Sequence, residues 1–341
     1  MNRFRFNAPL RAVLLGSAFL TSFSLLSSIS VAVFAAPVAV SSAIHTPSVS
    51  SRDVTYGSMN IDGLNIAYRE AGDPKAPKLV LLMGFPASGH QYRKLIDELS
   101  DRFHIIAPDY QGFGASYAPD PASYAYTFDK LADTTKKLLA ARGFDHFGLY
   151  AQDYGGPVGF RIVTEAPAKL DWLIVQNTNA YPEGFSSAWD GFRKKLWLDR
   201  STENEKPLAA FLTHDGIKGI YLAGAAHPEL ISPDNWEYDY GIMARPGHVR
   251  LNLDLFYDYR KNAELYPVWE KFLHDNQPKT IIFWGQHDPF FTPEGGEAYL
   301  RDLPKAEMYR LNAGHFAAED NATFIAARMK AFYDKKVKAA K

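Results

Sequence analysis

The sequence predicts an α/β protein: a mostly parallel central sheet with helices on both faces and a helical segment inserted into it. Three observations carry this. Short apolar runs alternate with amphipathic ones along most of the chain, which is the pattern of strands joined by crossover helices. One of these runs, residues 147–150, leads at once into Gln152-Asp153-Tyr154-Gly155-Gly156 and then into the amphipathic run 158–163. From 179 to 276, by contrast, no apolar strand is seen, and the stretch is helical and crowded with aromatics such as Trp189, Phe192, Trp197, Phe256 and Tyr259.

Taken in order, the chain opens with Arg3, Arg5 and Arg11, followed by an apolar run to Phe34 and small residues at Ala35 and Ala36. This is the composition of a signal peptide over 1–35, so the protein is expected to be exported to the periplasm or beyond and, once cleaved, to keep no stable membrane association. Serines at 22, 24, 27, 28 and 30 interrupt the run and favour cleavage over anchoring. Residues 36–53, rich in Ser, Val and Ala without periodicity, read as a linker. Residues 59–70 suggest a hairpin turning at Asp62-Gly63. A strand at 78–83 precedes Gly84-Phe85-Pro86, and a helix is expected over 91–99. A strand at 103–107 ends in Pro108-Asp109, a helix covers 128–139, and strands follow at 147–150, 170–176, 280–285 and 306–311. The resulting division is a core at 54–178, a helical cap insertion at 179–277, and the rest of the core at 278–341.

Composition narrows the chemistry. Of 341 residues, 47% are hydrophobic and the net charge is −1, which leaves no field to attract nucleic acid or an anionic membrane. The absence of cysteine excludes disulfides, thiolate nucleophiles and thiolate-bound zinc. The histidines show no metal-ligand spacing, and the single Gly112-Phe113-Gly114 is too short for a dinucleotide loop. Neither a metal nor a cofactor is expected.

The turn at Asp153 has the form of a nucleophile elbow, a sharp strand-to-helix bend that exposes one side chain at the sheet's edge. Two further residues sit just past strand ends: Asp288 after 280–285 and His315 after 306–311. An acid after a strand is alone a common helix cap. Nucleophile, acid and histidine in that chain order, each at a carboxyl end of a strand, point to a triad. His287, beside Asp288, reads as loop packing.

On these motifs, with Met83-Gly84-Phe85-Pro86 and Asp109 to Ser116, the chain resembles the epoxide hydrolase and haloalkane dehalogenase group of the α/β-hydrolase superfamily. Met83 stands where that group usually has histidine. The resemblance implies an α/β-hydrolase fold and a cofactor-free hydrolase acting with water on a small apolar substrate. Asp153 is then the nucleophile, His315 the general base and Asp288 the residue that orients it. The backbone N–H groups of Phe85 and Tyr154 form the oxyanion hole. An aspartate in place of serine suits attack at saturated carbon, giving an alkyl-enzyme ester that water then cleaves. The run 255–262 resembles an epoxide hydrolase element that makes Tyr259 a ring-opening proton donor, whereas Trp189 is a candidate N–H donor to a halide. Epoxide hydrolysis to a diol leads, haloalkane dehalogenation is the alternative, and a non-catalytic binding protein on the same fold is a third reading that the intact triad disfavours.

Overall fold

The computed structural model describes residues 50–340, so the expected signal peptide and the linker up to residue 49 lie outside it. The chain enters through β1 (Thr55–Ile61) and β2 (Leu64–Ala71), paired antiparallel about Asp62 and Gly63, whose φ of 52° and 87° are those of a type I′ turn. β3 (Lys78–Leu82), α1 (Arg93–Leu99), β4 (His104–Pro108), α2 (Phe128–Ala141), β5 (Phe147–Gln152), α3 (Gly155–Glu165) and β6 (Leu170–Gln176) then alternate. Between β6 and β7 (Thr280–Gly285) the chain holds helices alone: α4 (Thr202–Glu205), α5 (His214–Leu222), α6 (Asp234–Met243), α7 (His248–Asp258) and α8 (Arg260–Asn276), with short turns of 3₁₀ and π type. α9 (Pro293–Asp302), β8 (Glu307–Leu311), α10 (Ala317–Asp320) and α11 (Ala322–Phe332) complete the fold.

The strands form one eight-stranded sheet in the order β1-β2-β4-β3-β5-β6-β7-β8, parallel from β4 onward. β3 to β7 are almost wholly buried, as expected of strands covered on both faces. α1 packs with α11, and α3 packs on β3 and β5 beside α2 and α8. A single hydrophobic cluster runs from the strands into the segment between β6 and β7, joining Leu82 and Phe85 to Trp189, Phe192, Phe256 and Tyr259. Among the described residues, no helix is long and apolar enough to cross a membrane.

The expected helix at 91–99 differs in its first turn, which is 3₁₀ over Gly89–Tyr92 because the Ser88 hydroxyl accepts from the His90 N–H and caps it. α9 was not anticipated. Gly295 and Gly296 weaken its helical signal, yet Gly296 lies so close to the Trp284 indole that a Cβ would clash with it.

The elbow is the tightest part of the fold. Asp153 has φ +47°, an arrangement costing about 1–3 kcal/mol for a residue other than glycine. Three bonds hold it: its N–H donates to the Asn177 carbonyl at 3.1 Å, and its carbonyl accepts from Gly156 N–H at 3.0 Å and Thr178 Oγ1 at 2.7 Å. A Cβ on Gly155 would strike the Leu82 carbonyl, and one on Gly156 the Thr178 hydroxyl. Gly155→Ala is therefore expected to lower stability by about 1–3 kcal/mol, read as a fall in melting temperature. An unchanged melting temperature would show that the turn has slack.

Candidate active site

Asp153, Asp288 and His315 each follow a strand of the parallel part of the sheet, so the fold gathers them at its carboxyl edge. His315 is buried, and its Nδ1–H donates to Asp288 Oδ2 at 2.9 Å. The same Oδ2 accepts from Asn177 Nδ2 at 2.9 Å, while Oδ1 accepts from the Phe290 N–H at 2.8 Å. Asp288 is thus fixed at both oxygens. Asn177, at φ +37°, is itself held, since its Oδ1 accepts from the Gly285 N–H at 2.8 Å.

The other imidazole nitrogen, Nε2, lies 3.0 Å from Gln152 Nε2. Gln152 is oriented in turn, because its Oε1 accepts from Gln91 Nε2 at 3.2 Å, and Gln91 Oε1 accepts from the Gly84 N–H at 3.2 Å. With Nδ1 protonated and Nε2 accepting, the neutral ring is in the tautomer a general base requires. Gln152, Gln91 and Asn177 are site residues to which the sequence assigns no role. Their only local mark is a polar side chain at the buried end of a strand or turn.

Asp153 is 5% exposed, and its Oδ1 accepts from the Phe85 N–H at 2.6 Å. Burial pushes its carboxyl up to about 6, against the lowering effect of His315 and of the Phe85 and Tyr154 N–H groups. The two expected oxyanion donors are therefore both turned on this carboxyl. Burial would push His315 down, but the charge and hydrogen bond of Asp288, with the charge of Asp153, carry it above the usual histidine value. Phe290, Phe291 and Phe316 pack on the imidazole, with ring centres 5.5, 5.7 and 5.0 Å away.

Above Asp153 lies an apolar pocket. Phe85, Phe192, Phe211, Ile220, Phe256 and Phe290 form most of its wall, and Asp153, His315, Tyr154 and Tyr259 are its titratable members. Tyr259, between α7 and α8, is 1% exposed. Trp189 also lines the pocket, its ring 4.6 Å from that of Tyr259, but its indole N–H donates to the Phe290 carbonyl at 3.0 Å. The expectation that Trp189 offers an N–H to a halide is thus corrected: that donor is already paired with backbone. Trp197, the other tryptophan considered, donates to the Phe256 carbonyl at 2.9 Å. Tyr181 points elsewhere, donating to Asp302 at 2.8 Å. Among the described residues, no group of three or more His, Asp or Glu is placed to hold a metal.

This architecture is that of an alpha/beta hydrolase, and the chain belongs to that family, whose pattern matches residues 77–322. An uncharacterized hydrolase of Saccharomyces cerevisiae is 35% identical over 276 residues, covering 78% of this chain and 92% of that protein. Haloalkane dehalogenase 2 of Mycobacterium tuberculosis is 32% identical over 261 residues, covering 74% of this chain and 86% of its own. Among solved structures, the epoxide hydrolase CorEH superposes with a TM-score of 0.68 at 20% identity, covering 83% of this chain and 99% of that one, a likeness of fold.

Proposed function

We propose that this hydrolase opens small apolar epoxides to diols through an ester on Asp153, with the segment 179–277 as a cap over the pocket. Asp153 attacks a ring carbon with the oxygen not held by Phe85, and Tyr259 protonates the ring oxygen as it leaves. His315, oriented by Asp288, then takes a proton from water, which adds to the ester carbonyl. The Phe85 and Tyr154 N–H groups stabilise the oxyanion that forms, and removing one such donor typically costs about 10²- to 10³-fold in rate.

Charge supports this order of events. While Asp153 is ionised, its charge helps to hold His315 protonated. Ester formation removes that charge, so the protonated form of His315 loses part of its stabilisation and more of the imidazole is in the neutral form that can take a proton from water.

The named relatives include proteins that release halide and proteins that open epoxides. The observation that supports the epoxide reading for this chain is the pairing of the Trp189 and Trp197 N–H groups with backbone carbonyls, with Tyr154 and Tyr259 lining the pocket beside the nucleophile. A departing alkoxide needs a proton, which a phenol can give; a halide needs polarised N–H donors. A panel of terminal epoxides and bromoalkanes of matched chain length tests this. Diol formation with little bromide release is expected, and bromide release without diol from any epoxide would favour dehalogenation.

A further inference from the structure

His315 is under two opposed demands. A base has to be neutral, and burial alone disfavours the charged ring, but Asp288, by charge and hydrogen bond, and Asp153, by charge, carry it above the usual histidine value. Tyr154 and Tyr259, the other titratable groups of the pocket, are raised well above the ordinary phenol value, first by burial, and keep their protons. Phe290, Phe291 and Phe316, which pack on the ring, bring no charge.

The protein group that meets the imidazole Nε2 is an amide with only one possible orientation. Gln152 is fully buried, and its side-chain nitrogen lies 3.0 Å from that ring nitrogen and 3.4 Å from the His315 carbonyl oxygen. Gln176, its partner across β5 and β6, donates to the same carbonyl at 3.3 Å. A backbone N–H can only donate, so the group that Gly84 N–H reaches at 3.2 Å is Gln91 Oε1. The nitrogen end of Gln91 is thereby turned on Gln152, whose Oε1 accepts at 3.2 Å, and the Gln152 nitrogen is left for His315. A Cβ on Gly84 would lie 2.2 Å from Gln152 Oε1, so glycine is what admits the amide here.

Resting on the reading of His315 as the base of ester cleavage, we propose that Gln152 is a positioning residue, held in one sense by Gln91 and the Gly84 N–H, that keeps the imidazole neutral until water takes its place at Nε2. A donor there stabilises the free lone pair and opposes the cation, in which two N–H groups would face each other. It acts with burial and against the two carboxylates. The ring is then held at both nitrogens, by an acceptor at Nδ1 and a donor at Nε2.

The step balances. Water gives one proton to the imidazole Nε2 as its oxygen bonds to the ester carbon. The bond from that carbon to the product oxygen then breaks, and the product oxygen takes the proton from Nε2. The second proton of the water leaves the restored Asp153 carboxyl for the Tyr259 phenolate left by ring opening. The imidazolium exists only between bond making and bond breaking, and the Gln152 donor facing it favours its return to the neutral ring.

The test is a pH jump on the covalent adduct. Full-length wild type, Gln152→Glu and Gln91→Met are loaded with 1,2-epoxyhexane near neutral pH, and loss of the adduct is followed across the pH range by rapid quench and intact mass. Asp153 carries no charge in the adduct, so the midpoint of the acid limb reports His315. Gln152→Glu keeps one oxygen for Gln91 and turns the other on the ring, so the midpoint is expected to rise by about 1–3 pH units. Gln91 does not line the pocket, but Gln91→Met frees the Gln152 amide to turn its oxygen to the cation. There the midpoint is expected to rise by about half a unit to one unit, the size of one neutral hydrogen bond. Gln91→Met at the wild-type midpoint, whatever its rate or melting temperature, would make the chain merely structural and overturn the proposal, leaving His315 as the base. A midpoint indifferent to Gln152→Glu would overturn the reading of His315 as the base, and the proposal with it. A wild-type protein that formed no adduct would overturn the epoxide reading and the proposal together.

Discussion

Asp153→Asn is expected to lower turnover by about 10⁴- to 10⁶-fold, the range typical of losing a covalent nucleophile, while leaving the fold intact. Asparagine is the informative replacement because it tolerates the left-handed backbone at φ +47° that this position imposes, and it keeps the shape of the carboxylate. Its amide cannot bond to a saturated carbon, so the loss falls on alkylation itself. Circular dichroism and melting temperature should match wild type within a few degrees. The same residue sets the pH dependence of this step. With its carboxyl pushed up to about 6, Asp153 is protonated and unreactive below that pH, so alkylation should rise through about pH 6 and level off above it. A rate independent of pH between 5 and 7 would contradict this assignment.

His315→Gln is expected to separate the two half-reactions. Attack by a carboxylate needs no base, so the variant should still be alkylated. Cleavage of the ester needs a proton taken from water, and loss of that help should slow it by about 10²- to 10⁴-fold. The adduct should therefore accumulate, and intact mass should rise by the full mass of one substrate molecule. Phe290, Phe291 and Phe316, which pack on the imidazole, carry no group that could substitute as base. A variant that turned over at the wild-type rate, or one that formed no adduct at all, would show that His315 does not serve the second step.

Much of this architecture is legible in the sequence for a simple reason. A parallel strand buried on both faces reads as a mostly apolar run, and β6 and β7 coincide residue for residue with the runs 170–176 and 280–285. Asp153, Asp288 and His315 could be picked out because each lies just beyond such a run. Residues whose role depends on partners far along the chain could not. Gln152 matters because Gln91, 61 positions earlier, turns its amide toward His315, and Asn177 matters because it spans Gly285 and Asp288, 108 and 111 positions later. Nor can a sequence say that the Trp189 N–H is taken by a backbone carbonyl 101 positions away, which is the difference between a halide donor and a wall.

The central claim is that water attacks the Asp153 ester carbonyl and not the substrate carbon. Single turnover of an epoxide in H₂¹⁸O, with excess enzyme and analysis of both the diol and the peptide containing Asp153, tests it directly. ¹⁸O is expected in the Asp153 carboxyl and none in the first diol released. Label in that diol, with an unlabelled Asp153 peptide, would contradict it.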